Sequence, residues 1–241
     1  MIDVSTTIDA LTDIDVTGSA KRKGRPVREH EPMTAQQRVQ LNHVAKHLHS
    51  KFHGIFGFES VEAFVFESYD DLAKTATVTK WLTVGAEKYA LQRLEALAHI
   101  RDQTLKSVPA VLFLCVHNAG RSQMALGWFN HLARGRAIAW SGGSEPGSEL
   151  NQDVVKAMTE VGIDISQEFP KPWTDEFLGA ADVVVTMGCG DACPLVPGKR
   201  YEDWELEDPS GKSLEEIRPI REAVKRRVEG LLEEILPSSQ P

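Results

Sequence analysis

A cysteine at position 115 is followed, after five residues, by Arg121 and then Ser122, in the stretch LCVHNAGRS that continues the apolar run AVLF. A thiol, several backbone amides and a guanidinium gathered in one tight turn are the parts of a site for a tetrahedral oxyanion. Asn118 and Gly120 tolerate positive φ, which lets successive N–H groups point into the loop. A concave set of amides at a helix N-terminus binds anions without a deep pocket. Arg121 adds a planar fork able to hold two oxygens at once. The same positive field favours a thiolate at Cys115, and Ser122 can donate to it. The candidate anion site is therefore Val116, His117, Asn118, Ala119, Gly120, Arg121 and Ser122, with Cys115 as nucleophile. The competing reading is a buried core thiol at a strand end.

Further along, CGDAC carries Cys189 and Cys193, with Gly188 and Gly190 flanking the first. Three uses suit such a pair: a redox couple, half of a metal site, or two inert structural thiols. No second cysteine pair and no histidine lies near enough to complete a metal site. Asp208 precedes Pro209, which biases it toward extended backbone and makes it a candidate general acid. Asp-Pro also occurs in ordinary turns.

These residues need a frame. AVLFLC, 110–115, is a continuous apolar run of strand length, and a helical stretch over 121–133 follows the loop. AIAWS (137–141), DVVVTM (182–187) and RYEDW (200–204) read as further strands. Helices are expected over 151–161, closed by Gly162, and over 214–236. Strands alternating with helices imply an α/β fold with a four-stranded parallel sheet covered on both faces. Ligands of such sheets bind beyond the carboxyl ends of strands. Cys115, Cys189 and Asp208 all fall at or after such ends.

Before residue 106 the pattern differs. Residues 1–33 read as a flexible tail, with an acidic start and the basic run KRKGRPVR. TAQQ has the form of a capping box, Thr34 with Gln37. Leu41, Val44, Ala45, Leu48 and Phe52 then recur on one face, and Gly54 supplies a stop. A second helix is expected from Ser60 and a third over 78–100, with Trp81, Leu82, Ala86, Tyr89, Leu94 and Leu97 in its stripe. Residues 34–105 thus predict a small three-helix bundle, and 106–241 the α/β domain. About 70 residues make a marginal core unaided, so the bundle should pack on something, a second subunit being one economical solution. His43 and His47 have the spacing of a helical metal pair, but no Glu or cysteine strengthens them, so no metal is expected.

The bulk properties agree with a soluble enzyme. Hydrophobic content of 41% and charged content of 26% are ordinary. A net charge of −8 argues against general nucleic-acid binding. No apolar stretch reaches the roughly 20 residues of a membrane span, and no secretory signal is expected from the acidic start. Three cysteines, an odd number, suit functional thiols in a reducing cytoplasm.

From Val111 onward the chain resembles the low-molecular-weight tyrosine phosphatase fold, and most of all its arsenate reductase branch. The pieces that carry the resemblance are LCVHNAGRSQMA, SGGSEPG, VGIDIS, VVVTMGCGDACP and WELEDPSGK, in family order. The helices before it resemble three-helix domains that precede such reductases in some bacterial proteins. The resemblance implies a three-thiol relay. Cys115 attacks arsenate, Cys189 attacks Cys115 as arsenite leaves, and Cys193 then draws the disulfide to Cys189–Cys193 for thioredoxin to reduce. It also implies Asp208 as the acid and thioredoxin as external reductant. No bound cofactor is expected, phosphate or sulfate should compete as like tetrahedral oxyanions, and the marginal core of the N-terminal helices makes a homodimer through them the expectation. Phosphatases of this fold that accept phosphotyrosine tend to place aromatic residues after the Asp-Pro, where this chain has Ser210, Gly211 and Lys212. A small inorganic substrate is therefore favoured over a phosphotyrosine. Two departures stand out. The gap between Cys189 and Cys193 is shorter than is common in the branch. Some members hold potassium with an asparagine of the loop and a carboxylate on the next helix; Asn118 fits, but Leu126 occupies the second place. The alternatives kept open are a protein tyrosine phosphatase, a mycothiol-dependent arsenate reductase, and a non-enzymatic interaction protein with an anion-responsive loop.

Overall fold

Thr34 opens the first helix as its capping box requires: its Oγ1 accepts from the Gln37 N–H at 3.2 Å, and Gln37 Oε1 accepts from the Thr34 N–H at 2.9 Å. The computed structural model describes residues 32–76, 81–101, 107–188 and 195–236. All but the last two positions of the expected tail, the start of the third apolar stripe at Val78, and the cysteines 189 and 193 lie outside these residues.

Three helices come first: α1 (Ala35–Lys51), α2 (Phe58–Ala73) and α3 (Leu82–Arg101). Leu41, Ala45 and Leu48 are buried on α1, Phe52 is buried at its C-cap, and Gly54 follows with φ 82°. α2 begins at Phe58, two residues earlier than Ser60, behind an extended Gly57 that offers no side-chain cap. Trp81 is a correction. It sits just ahead of α3 with 64% of its surface exposed, while Leu82, Ala86, Tyr89 and Leu94 form the buried stripe.

The second half alternates as expected. β1 (Ala110–Cys115) leads into α4 (Arg121–Ala133), then β2 (Ile138–Gly143), α5 (Gln152–Thr159), α6 (Asp175–Ala180), β3 (Val183–Met187), β4 (Arg200–Asp203) and α7 (Leu214–Ile235). The sheet is wholly parallel in the order β2-β1-β3-β4. β2 ends two residues later than its apolar run because Leu114 and Cys115 still pair with Gly142 and Gly143. α5 is shorter than its pattern, with Asn151 as N-cap, its Oδ1 accepting from the N–H groups of Asp153 and Val154. α6 is not legible as a periodic pattern at six residues.

Alternation along β1 divides the core. Val111, Phe113 and Cys115 face the side covered by α4 and α7, with Met124, Phe129, Val224 and Val228. Ala110, Leu112 and Leu114 face the other side, with Trp140, Phe177 and the buried residues of all three N-terminal helices. The bundle's cover is thus found within the chain. Tyr89 donates its hydroxyl to the Pro172 carbonyl at 3.0 Å, and Lys88 Nζ donates to the Gln167 carbonyl at 3.2 Å.

A buried ion pair joins α3 to α6. Arg93 Nη2 donates to Glu176 Oε1 at 2.8 Å and reaches Glu67 Oε2 at 3.2 Å, and Nη1 donates to Ser68 Oγ at 3.3 Å. Burial alone would raise the Glu176 pKa, but the Arg93 hydrogen bond and charge, with the Thr174 hydroxyl, outweigh it and hold the carboxyl below its usual range. Stabilisation from this group is therefore complete above the ordinary carboxylate pKa and fades as pH falls through the lowered folded value. Glu176→Gln should cost about 3 kcal/mol at neutral pH, the low end for breaking a buried pair. Urea unfolding followed at falling pH should show that deficit shrinking in acid; a deficit independent of pH would contradict the ionic account.

Candidate active site

β1 ends on Cys115, only 3% exposed, and α4 begins at Arg121, so the loop between them crosses the carboxyl edge of the sheet. Its carbonyls are held from outside. Those of Cys115, Val116, His117 and Ala119 accept from the N–H groups of Ser144, Glu145, Gly147 and Asn151 at 3.3, 2.9, 2.9 and 3.0 Å. The Asn118 carbonyl accepts from Gln123 Nε2 at 3.1 Å. With the carbonyls turned out, the loop's amides are the groups that can converge on an anion, at the positive end of α4.

The thiol lies at the base of this cradle. Ser122 Oγ is 3.0 Å from Cys115 Sγ, and the Asn118 N–H donates to the sulfur at 3.2 Å. Asn118 Nδ2 donates to Ser122 Oγ at 2.9 Å, so the hydroxyl is oriented by one neighbour and left with its proton for the sulfur. A sulfur met by the Ser122 hydroxyl and the Asn118 N–H at the base of the loop is placed for nucleophilic attack. Arg121, 9% exposed, donates from Nη2 to Asp208 Oδ2 at 2.7 Å. Asp208 Oδ1 accepts from the Ser210 N–H at 2.9 Å, which orients the carboxylate over the guanidinium. Nucleophile loop, arginine and candidate acid are brought together.

Asn118 and Gly120 both tolerate positive φ; Asn118 adopts it, at 47°, while Gly120 has φ −139°. Glycine at 120 answers a different need. A Cβ there would meet Pro209 Cγ at 2.7 Å, so its absence lets the Asp-Pro loop close on the cradle. His117 is exposed, with Nδ1 3.1 Å from the Glu145 carbonyl, and Val116 and Ala119 are half-buried.

Cys189 and Cys193 lie outside the described residues. The residue before them does not: Gly188, with φ 74°, passes so close to Arg121 that a Cβ would meet Nη1 at 2.8 Å. The chain therefore leaves β3 across the guanidinium, one residue ahead of Cys189.

Three contributors were not legible from residue type. Gln123, wholly buried, ties Asn118 to the Phe169 carbonyl. Asn151 Nδ2 donates to the Pro209 carbonyl at 3.2 Å and so braces the Asp208 loop. Lys171 is fully buried and donates its N–H to Asn118 Oδ1 at 3.0 Å. Only Asn151 left a sequence signal, as a cap ahead of a helical pattern. Among the described residues no group of three His, Cys, Asp or Glu side chains could hold a metal, and no helix is long and apolar enough to cross a membrane.

Comparison with known proteins meets this geometry from another direction. The glutaredoxin arsenate reductase of Synechocystis sp. is 41% identical over 128 residues, which are 52% of this chain and 97% of the relative. Arsenate reductase 2 of Staphylococcus haemolyticus is 37% identical over 123 residues, 49% of this chain and 92% of the relative. Among solved structures, the thioredoxin-dependent arsenate reductase Cg_ArsC1' of Corynebacterium glutamicum is similar at a TM-score of 0.71 and 42% identity, covering 81% of this chain and 95% of that one. Residues 41–98 match the N-terminal domain of protein-tyrosine-phosphatase-like proteins. Residues 110–240, which hold the whole anion loop and the Asp-Pro turn, match the low molecular weight phosphotyrosine protein phosphatase family, and to that family this chain belongs.

Proposed function

We propose that the chain reduces arsenate to arsenite through a covalent adduct on Cys115 and an internal disulfide relay that thioredoxin regenerates. The observation that carries this reading is the cradle itself: a sulfur with two hydrogen-bond donors, under outward-turned carbonyls, with Arg121 and Asp208 in contact at 2.7 Å. Likeness to a thioredoxin-dependent arsenate reductase over four-fifths of the chain supports it.

The Cys115 thiolate attacks arsenic, an As–S bond forms, and an arsenate hydroxyl leaves as water with one proton from Asp208. Arg121 and the loop amides, Val116 to Ser122, hold the remaining oxygens as charge develops. The Cys189 thiolate then attacks Cys115 Sγ. The As–S pair stays with arsenic, which goes from As(V) to As(III), and arsenite departs as the Cys115–Cys189 disulfide forms. Cys193 attacks Cys189 and releases Cys115, and the dithiol of thioredoxin supplies two electrons to the Cys189–Cys193 disulfide. No bound cofactor takes part, and the setting is cytoplasmic. Phosphate and sulfate, also tetrahedral anions, compete for the loop.

Arsenate, NADPH, thioredoxin and thioredoxin reductase supplied together test the reading. NADPH consumption that depends on arsenate and on all three cysteines supports it. Hydrolysis of an aryl phosphate that needs only Cys115, with no NADPH consumed, would make the chain a phosphatase instead. Leu126, buried at 4% exposure, offers no carboxylate where some relatives bind potassium. Exchanging sodium for potassium at equal ionic strength should therefore leave turnover unchanged, and a clear rise would count against this account of the loop. The N-terminal helices (34–105) form part of the proposal as a dimerisation region, since Val39, Trp81 and Val84 remain exposed on this single chain at 54%, 64% and 45%.

A further inference from the structure

Lys171 is among the largest side chains buried completely, with 0% of its surface exposed. Lysine is almost never found so deep unless paired, because its ammonium loses hydration that the interior must replace. Here the ammonium has Glu168 Oε2 at 3.4 Å and the Phe169 ring centroid at 4.7 Å. Burial pushes its pKa down, and the Glu168 carboxylate opposes that. Nothing in the proposed chemistry uses this group.

Its main chain, in contrast, is part of the site. The Lys171 N–H donates to Asn118 Oδ1 at 3.0 Å, and its carbonyl accepts from the Gly143 N–H at 2.9 Å. Two residues earlier the Phe169 carbonyl accepts from Gln123 Nε2 at 3.2 Å, and the same nitrogen reaches the Asn118 carbonyl and Oδ1 at 3.1 Å each. Asn118 is thus gripped through residues 169–171 at the one non-glycine position of the loop with positive φ, 47°. Left-handed backbone at such a residue persists only where its surroundings over-determine it. Pro170 and Pro172 flank Lys171 and have no N–H to donate, so the main-chain anchoring of 169–172 comes down to the bridge at Gly143, whose N–H reaches the Lys171 carbonyl, and further restraint has to come from side chains, as the Tyr89 hydroxyl on the Pro172 carbonyl does. A sealed ammonium has one acceptable position, against its carboxylate and ring face, and it can supply that restraint.

We propose that Lys171 is a positioning residue for the anion loop: its buried ammonium, clasped by Glu168 and the Phe169 ring, pins residues 168–171 so that their main chain holds Asn118 in the left-handed conformation that shapes the cradle. The proposal rests on the functional reading only in taking the loop as an oxyanion site, and the redox relay does not enter it.

The test uses the full chain with Cys189→Ser and Cys193→Ser, which leaves Cys115 as its single thiol. Iodoacetamide alkylation of Cys115 is timed with increasing inorganic phosphate, giving a protection constant that is readable whether or not arsenate is reduced. Thermal unfolding is recorded alongside. Lys171→Met should weaken phosphate protection by about tenfold, the scale of a small misplacement of binding groups. Its Tm should be unchanged or higher, because methionine fills similar volume without needing an ion partner. In Lys171→Ala, methylammonium or ethylammonium should restore part of the protection, and sodium chloride at equal ionic strength should not. Protection within about twofold of the parent in Lys171→Met would overturn the proposal. So would a loss that follows a fall in Tm in both variants with no response to amines, which is the signature of packing alone.

Discussion

Replacing Cys189 or Cys193 with serine is expected to abolish thioredoxin-coupled turnover, and the two variants should stop at different places. Without Cys189 no thiol can displace arsenite from the Cys115 adduct, so not even one equivalent of arsenite should appear. Without Cys193 the first disulfide can form, so one equivalent of arsenite per chain should be released before the enzyme stalls as Cys115–Cys189. Rapid acid quench with arsenite quantification separates the two, and mass spectrometry after thiol blocking identifies the stalled species. The approach of Gly188 to Arg121, where a Cβ would meet Nη1 at 2.8 Å, brings the end of β3 beside the cradle. Bridged cysteines need Cα atoms about 4.4–6.8 Å apart, so such an approach is a condition of the first transfer. Arsenite formation that survives loss of both cysteines would sink the internal relay and favour an external small thiol such as mycothiol.

Arg121→Lys is expected to lower kcat/KM for arsenate by about 10²–10³, the range for removing one donor to a developing oxyanion. Charge is conserved in this variant, so the effect isolates geometry. Arginine presents its donors in a rigid plane, whereas lysine offers a point charge on a flexible stem. In the structure that plane is held on two sides, with Nη2 on Asp208 and Nη1 under Gly188. A lysine ammonium can satisfy only one of those directions while also meeting the anion. Steady-state kinetics at saturating thioredoxin decide the matter, and a loss below about fivefold would show that charge alone suffices. Asp208→Asn, at a carboxylate with 49% of its side chain exposed, should act on kcat more than on KM, as loss of a proton donor does.

How much of this could be read in advance depended on the range of the signal. The strand 110–115 and the helix 121–133 were legible to the residue because an apolar run, a glycine and a polar helix start follow one another directly. The capping box at Thr34 was legible for the same local reason. Cys115, Arg121 and Asp208 could be named as candidates because their residue types advertise chemistry. What escaped depends on contacts far apart in sequence. Lys171 and Gln123 are ordinary surface residues by type, and only tertiary packing puts them under the loop. Gly120 was noticed for its backbone freedom, but what requires glycine is Pro209, 89 positions away in the chain. Trp81 looked like a core residue because an apolar side chain at the edge of a periodic stripe carries no mark of which side it will face.

The outward bonding of the loop carbonyls bears on how freely this sequence can drift. Apart from the Arg121 guanidinium, the groups that would grasp the anion belong to the main chain, which substitutions leave in place. Val116, His117 and Ala119 contribute peptide units whose carbonyls are anchored by Ser144, Glu145, Gly147 and Asn151 whatever their side chains are. Selection should therefore weigh lightly on those three identities. It should weigh heavily on Asn118 and Gly120, where a left-handed turn and a missing Cβ are indispensable. Neutral variation at the rim of the cradle is then available for adjusting which partners or inhibitors approach it, while the affinity for a tetrahedral anion stays unchanged.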